Sequence, residues 1–295
     1  MNFIERIKNG DVLVSDGATG TNLQQRGLVR GEAAESWVLH RPQEILALAQ
    51  SFISAGADLV LTCTFGATSI RLQAANLQDQ VKAINLQAVE IARQAASATK
   101  KYVAGSIGPT GQMLQPYGTL SHEEAFAAFK QQAALLTQAG VDLVVIETQF
   151  DINEAKAAVK AVRSVSDLPL VCSFSFDRGK RTMMGVSPAQ VAQEIGLMAV
   201  DLLGINCGRS LEDNLAALKL LRAETDKPLW FKPNAGLPKL DDSGQPVYDV
   251  TPSDMAEQVP AWLAAGAQVV GGCCGTSPAH LAAIVNSVKP VKVNR

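Results

Sequence analysis

Histidine, cysteine and aromatic residues are all scarce in this chain. Among 295 residues there are three histidines and five cysteines, and Phe, Trp and Tyr together make up 5%. The histidines (His40, His122 and His280) lie in helix-start or surface-like contexts that suit solvated or capping roles, and no Cys–His spacing of a zinc finger exists. A small, odd set of cysteines is no disulfide framework and reads as reduced thiols in the cytoplasm. Charge of one sign is missing too. The net charge is −2 with acidic and basic residues mixed, so neither a basic stripe for nucleic acid nor an acidic tail is present. No apolar run is long enough to span a membrane, and Met1-Asn2-Phe3-Ile4-Glu5-Arg6 lacks the apolar region of a signal peptide. Low-complexity segments and linkers are absent, so one domain over residues 1–295 is expected, with no nucleic acid and no membrane as partners.

What is present is repetition. Ala55-Gly56-Ala57-Asp58-Leu59-Val60-Leu61 recurs as Ala139-Gly140-Val141-Asp142-Leu143-Val144-Val145, again in Ala265-Gly266-Ala267-Gln268-Val269-Val270, and more weakly in Ala199-Val200-Asp201-Leu202-Leu203-Gly204. Each copy follows a helical pattern, its glycine (where present) suits a helix C-cap, and the apolar run suits a strand buried on both faces. Four strands with other lead-ins alternate with these, in Val12–Asp16, Lys101–Ile107, Asp167–Phe174 and Asp226–Phe231. Helix starts fill the gaps. Ser121-x-x-Glu124, Asp151-x-x-Glu154 and Ser187-Pro188-x-Gln190 have capping-box spacing, and Thr251-Pro252 and Ser277-Pro278 pair a cap with a proline. The helix from about Pro42 to Ala55 puts Ile45, Leu46, Ala49, Phe52 and Ile53 on one face. Eight strands alternating with helices predict a (β/α)8 TIM barrel, with a doubly wound sheet as the rival. The irregular stretch from Asn234 to Val250, with Asp241, Asp242, Ser243 and Gly244 in it, follows strand seven and reads as a lid or substrate wall.

The thiols fall at strand ends. Gly271-Gly272-Cys273-Cys274-Gly275-Thr276 closes the last strand, and Cys207 ends Leu202-Leu203-Gly204-Ile205-Asn206-Cys207. Neighbouring side chains of a strand point to opposite faces, so Cys273 and Cys274 can meet one ion only where the backbone has turned. The surrounding glycines make that turn easy. Three thiolates converging there would hold Zn2+ with its fourth position open, an arrangement suited to activating a substrate thiol. Cys172, mid-strand, reads as a small core residue. Cys63, at the end of strand two, is placed to look into the pocket.

These motifs together resemble the homocysteine-binding domain family of zinc-dependent S-methyltransferases, and most nearly its cobalamin-dependent methionine synthase branch. The resemblance rests on Asp16-Gly17-Ala18-Thr19-Gly20-Thr21, Thr62-Cys63-Thr64-Phe65-Gly66-Ala67, Ser106-Ile107-Gly108-Pro109-Thr110-Gly111, Glu147-Thr148, Gly204 to Cys207, Pro233-Asn234-Ala235-Gly236 and Gly271 to Thr276, in order along nearly the whole chain. It implies a (β/α)8 barrel, zinc on Cys207, Cys273 and Cys274, and methyl transfer to homocysteine in the cytoplasm, giving methionine. The family often has Asn or His where this chain has Cys63.

The amino-acid end of such a substrate needs its own partners. Glu147 is the candidate for the ammonium, and Asn234 is a second polar contact. Asp16, Gly17 and Thr21 belong to a loop whose backbone N–H groups suit a carboxylate, although Asp16 can equally orient the loop. Lys232, near the mouth of strand seven, reads as solvated. No folate domain and no Asp-x-His-x-x-Gly corrinoid motif is found, so the expected methyl donor is a separate methyl-corrinoid protein or a small sulfonium or methyl donor. Scarce aromatics count against a site for a betaine-like cation. Two rival readings are a metal-free barrel lyase or aldolase using Lys232 as its amine, and a non-catalytic zinc-binding partner subunit of a corrinoid methyltransferase system.

Overall fold

The chain is described by a computed structural model covering residues 1–99, 101–177, 180–240 and 246–288. Eight parallel strands form one sheet: β1 (Leu13–Val14), β2 (Leu59–Leu61), β3 (Tyr102–Ile107), β4 (Leu143–Gln149), β5 (Leu170–Phe174), β6 (Leu202–Cys207), β7 (Leu229–Pro233) and β8 (Ala267–Val270). Strands β2 to β8 neighbour one another in sequence order, β8 pairs with β1, and a parallel bridge from Ser15 to Leu59 joins the two edges. Helices follow every strand, so the expected TIM barrel forms and the open-sheet alternative is excluded. Among the described residues no helix is long and apolar enough to cross a membrane.

The repeated lead-ins have a backbone cause. Gly56, Gly140 and Gly266 end their helices at φ of 106°, 85° and 91°, the left-handed region that side chains rarely adopt. Each reverses the chain from helix into strand. The expected helix over Pro42–Ala55 runs Pro42–Ser54. Capping boxes form at Ser121 with Glu124, Ser187 with Gln190, and Thr251 with Asp254. The box expected at Asp151 and Glu154 does not form. Asp151 accepts from the Asn153 N–H, and the buried Glu154 accepts from Thr110 N and Oγ1 at 2.7 and 2.6 Å. The buried Thr110 N–H needs an acceptor, and Glu154 supplies it.

Every strand contributes to the barrel interior. Leu13, Leu59, Ala104, Leu143, Val145, Val171, Leu202, Trp230 and Val269 pack there with Phe3 and Ile7. The helix Phe3–Lys8 closes the N-terminal end, where Phe3 meets the Tyr102 ring edge-on and Gln268 donates to the Ile7 carbonyl. Side chains alternate along a strand, so the next inward position lies two residues further on. Ala104 is followed by Ser106, Val145 by Glu147, Trp230 by Lys232 and Val269 by Gly271. The same interior face is apolar at the bottom of the barrel and polar at the top. A second, larger core lies between strands and helices.

After β7 the chain makes a short antiparallel hairpin, Lys239–Leu240 against Pro246–Val247. Of the expected lid, Asp241, Asp242, Ser243 and Gly244 lie outside the described residues. Tyr248, further along, returns to the barrel mouth and packs over Gly275.

Candidate active site

At the C-terminal end of the barrel, Cys207 Sγ lies 3.2 Å from Cys273 Sγ and 4.0 Å from Cys274 Sγ. All three sulfurs lie within 4.8 Å of one another. Sulfurs bonded tetrahedrally to zinc at ~2.3 Å would stand ~3.8 Å apart. The spacing therefore fits the ion, and so does the chemistry, because soft thiolates select zinc. Hydrogen bonding with Cys273 and Cys274, together with burial, pushes Cys207 well above the ordinary thiol range, whereas hydrogen bonding with Cys207 and Cys273 holds Cys274 well below it. Three thiolates this close require a cation among them.

The turn that brings Cys273 and Cys274 together starts where β8 ends, at Val270. Gly271 and Gly272 have no room for a Cβ: it would fall 2.9 Å from the Asp16 carbonyl at 271 and 2.4 Å from Thr276 Oγ1 at 272. Gly275 adopts φ 81° under the Tyr248 ring. Thr276 secures the turn. Its N–H and hydroxyl donate to the Cys273 carbonyl at 3.1 and 2.6 Å, and its Oγ1 accepts from the Ala18 N–H.

Cys207 itself sits at φ 61° and Thr148 at φ 59°, a conformation that costs a non-glycine residue roughly 1–3 kcal/mol. One buried side chain braces both. Asn206 Oδ1 accepts from the Thr148 N–H (2.9 Å) and Ser173 Oγ (2.6 Å), and its Nδ2 donates to Thr148 Oγ1 (2.6 Å). Asn214 Nδ2 holds the Cys207 carbonyl at 2.7 Å. Sequence reasoning gave Asn206 no role. The signal was available: a lone carboxamide in an apolar strand, directly before a ligand candidate.

The floor of the site is ionic. Lys232 is only 3% exposed, and its Nζ lies 2.6 Å from Asp16 Oδ1. This corrects the expectation of a solvated lysine: β7 points Lys232 inward above Trp230. Burial opposes its charge, but Asp16 and Glu147 overcome that and hold it above the ordinary lysine value. Its pairing with Asp16 counts against the free amine that an aldolase needs. Asp16 Oδ2 takes the Leu61 N–H at 2.7 Å. Glu147 accepts from Ser106 Oγ, and burial pushes its carboxyl up to about 7, against the pull of Lys232.

These groups open on one cavity of about 1100 Å³. Gly17, Thr21, Glu147, Lys232 and the three cluster cysteines line it, as do Cys63, Arg71 and Tyr248. Cys63 stands apart from the thiol cluster, its buried Sγ 3.7 Å from the Ala34 carbonyl. Thr21 Oγ1 accepts from the Gly275 N–H. Asn234 is not on the cavity wall. It lies behind Cys207, where its backbone N–H reaches the Cys207 carbonyl and its Nδ2 the Gly208 carbonyl at 2.8 Å. Cys172 is fully buried in β5, as expected of a core residue. His40 and His122 are exposed, His40 at a helix end and not at a helix start. His280 is buried and caps its helix by accepting from Ser277, while Nε2 bonds the Val250 carbonyl.

Residues 13–288 match the family model described as homocysteine S-methyltransferase. The chain is 30% identical to a methionine synthase of Mycobacterium tuberculosis over 95% of its own length, and 30% identical to one of Mycobacterium leprae over 94%. It spans about a quarter of the length of those relatives, 25% and 24%. The homocysteine methyltransferase MmuM of Escherichia coli has a similar structure at 28% identity. Its metallated form superposes with a TM-score of 0.81, covering 95% of this chain and 97% of that one, and its oxidized form with 0.80.

Proposed function

The chain belongs to the homocysteine S-methyltransferase family, and on that basis we propose that it moves a methyl group onto the sulfur of homocysteine, giving methionine. The carrying observation is the three-thiol cluster facing a cavity with room beyond an amino acid. Cys207, Cys273 and Cys274 would hold Zn2+. When bound, zinc supplies a Lewis acid that keeps a coordinating thiol deprotonated at neutral pH.

The remaining chemistry falls to the protein. The substrate sulfur lone pair forms the new S–CH3 bond as the donor–CH3 bond breaks and its electron pair leaves with the donor. Glu147 accepts the substrate ammonium, and arrival of that cation favours its ionised form. Gly17 and Thr21 wall the amino-acid end. Asp16 acts through others, fixing Lys232 and β2, and Asn234 supports Cys207 from behind. Pro246 and Tyr248 wall one side of the cavity. The donor is a methyl-corrinoid protein or a small sulfonium compound. Cys207 and Cys273 lie close enough to oxidise, so the working enzyme belongs in a reducing compartment, the cytoplasm.

The test is a donor screen. Full-length protein loaded with zinc is given homocysteine with methylcobalamin or a methylsulfonium amino acid, and methionine is quantified by mass spectrometry. Methionine formation that chelation abolishes is expected. No product with any donor, or product indifferent to chelation, contradicts the reading.

A further inference from the structure

Among the described residues two cationic side chains, Arg71 and Lys232, line the cavity, and of these Lys232 is the buried one. An ammonium has three N–H donors. One is taken by Asp16 Oδ1 at 2.6 Å, and no second hydrogen bond from Nζ forms among the described residues. Asp16 divides its acceptors: Oδ1 is shared with Ser15 Oγ, and Oδ2 takes the Leu61 N–H. Lys232 therefore presents a full positive charge and two unused donors within a buried site that opens to the cavity. Glu147 stands near enough to act on it electrostatically without forming an ion pair. Cys273 lies within the same electrostatic range of both.

A free amino acid carries opposite charges on one carbon. The floor offers the mirror of that pair: Glu147 negative, Lys232 positive, with the thiol cluster to one side. We infer that Lys232 is the residue that recognises the α-carboxylate of the acceptor amino acid. This rests on the reading of the site as a thiol methyltransferase and adds its specificity. The competing group is the N-terminus of the helix Thr19–Gln25, which begins without a side-chain cap. That helix has only seven residues and presents at most a fraction of a charge, whereas Lys232 presents a whole one in a low-dielectric pocket. Asp16 then has a defined duty: it keeps Lys232 in place without satisfying it.

The consequence is discrimination. Thiols that carry a carboxylate beside the amine are favoured over those that lack it. The experiment measures dissociation constants by calorimetry on zinc-loaded, full-length protein. The ligands are L-homocysteine, its carboxamide and 3-aminopropane-1-thiol, which lacks the carboxylate altogether. Wild type should bind homocysteine more tightly than either analogue by on the order of 10- to 100-fold, as a charge-assisted hydrogen bond implies. In Lys232→Met that preference should collapse, with homocysteine weakened to the level of 3-aminopropane-1-thiol. Lys232→Arg should restore part of it. Equal weakening of all three ligands in Lys232→Met would reduce Lys232 to a structural role and overturn the inference. If Lys232→Met does not fold, the wild-type comparison decides alone: a carboxamide bound as tightly as homocysteine overturns it. If wild type binds no thiol, the methyltransferase reading falls as well. Thiols bound without regard to the carboxylate leave that reading standing and remove Lys232 from it.

Discussion

Replacing Glu147 by Gln should stabilise the ligand-free protein while weakening its grip on substrate. The carboxyl is buried and raised from 4.5 to about 7, and that difference corresponds to about 3 kcal/mol of preference for the protonated form. The sign follows from linkage. Below pH 4.5 the group is protonated in both folded and unfolded chains and contributes nothing. Between 4.5 and about 7 the unfolded chain ionises first, so the wild type loses stability as pH rises, and above about 7 the loss is complete. Glutamine keeps the shape and can still bond Ser106 Oγ, but it has no charge to desolvate. The variant should therefore gain about 2–3 kcal/mol over wild type near pH 8 and nothing near pH 4. Urea denaturation across that range, with both proteins in the same metal state, reads the difference. Homocysteine affinity near pH 8 should fall on the order of 10- to 100-fold, because the ammonium loses its counter-charge. A variant less stable than wild type near pH 8, or a difference that does not vary with pH, would refute the claim that this carboxyl is held in a desolvated site.

Four further outcomes follow from the geometry. Asp16→Asn leaves the Lys232 ammonium buried without its counter-charge and should destabilise the fold by about 3–5 kcal/mol, measured by denaturation. Gly275→Ala places a methyl group 2.3 Å from the Tyr248 ring at a φ of 81°, so it should displace Tyr248, disturb the cysteine turn and weaken zinc binding in a competitive chelator titration. Cys273→Ser should lose zinc and activity together, because an oxygen replaces a soft thiolate ligand. Cys172→Ala, away from the cluster, should retain zinc by elemental analysis even where stability drops.

The parts of the fold set by local rules were legible in the chain. Gly56, Gly140 and Gly266 mark helix ends because only glycine takes their φ easily, and the runs after them are barrel strands. The adjacency of Cys273 and Cys274 within glycines announced a turn, since a continuing strand would separate them. Lys232 was misread by residue type. Lysine is rarely buried, but its position two residues after Trp230 in a strand fixed it on the interior face, where Asp16, just after β1, could meet it. Glu154 was misread because its spacing suits a cap, while its true partner, Thr110, comes from the preceding β3 loop. Both errors concern pairings across the barrel, between residues 216 and 44 positions apart. No local pattern encodes those. The same holds for the Asn206 brace, whose partners lie on β4 and β5.

X-ray absorption at the zinc edge tests the central claim most directly. Zinc-loaded protein should show three sulfur neighbours at about 2.3 Å, from Cys207, Cys273 and Cys274, and a fourth on addition of homocysteine. Fewer than three sulfurs at rest, or a coordination shell that homocysteine leaves unchanged, would contradict it.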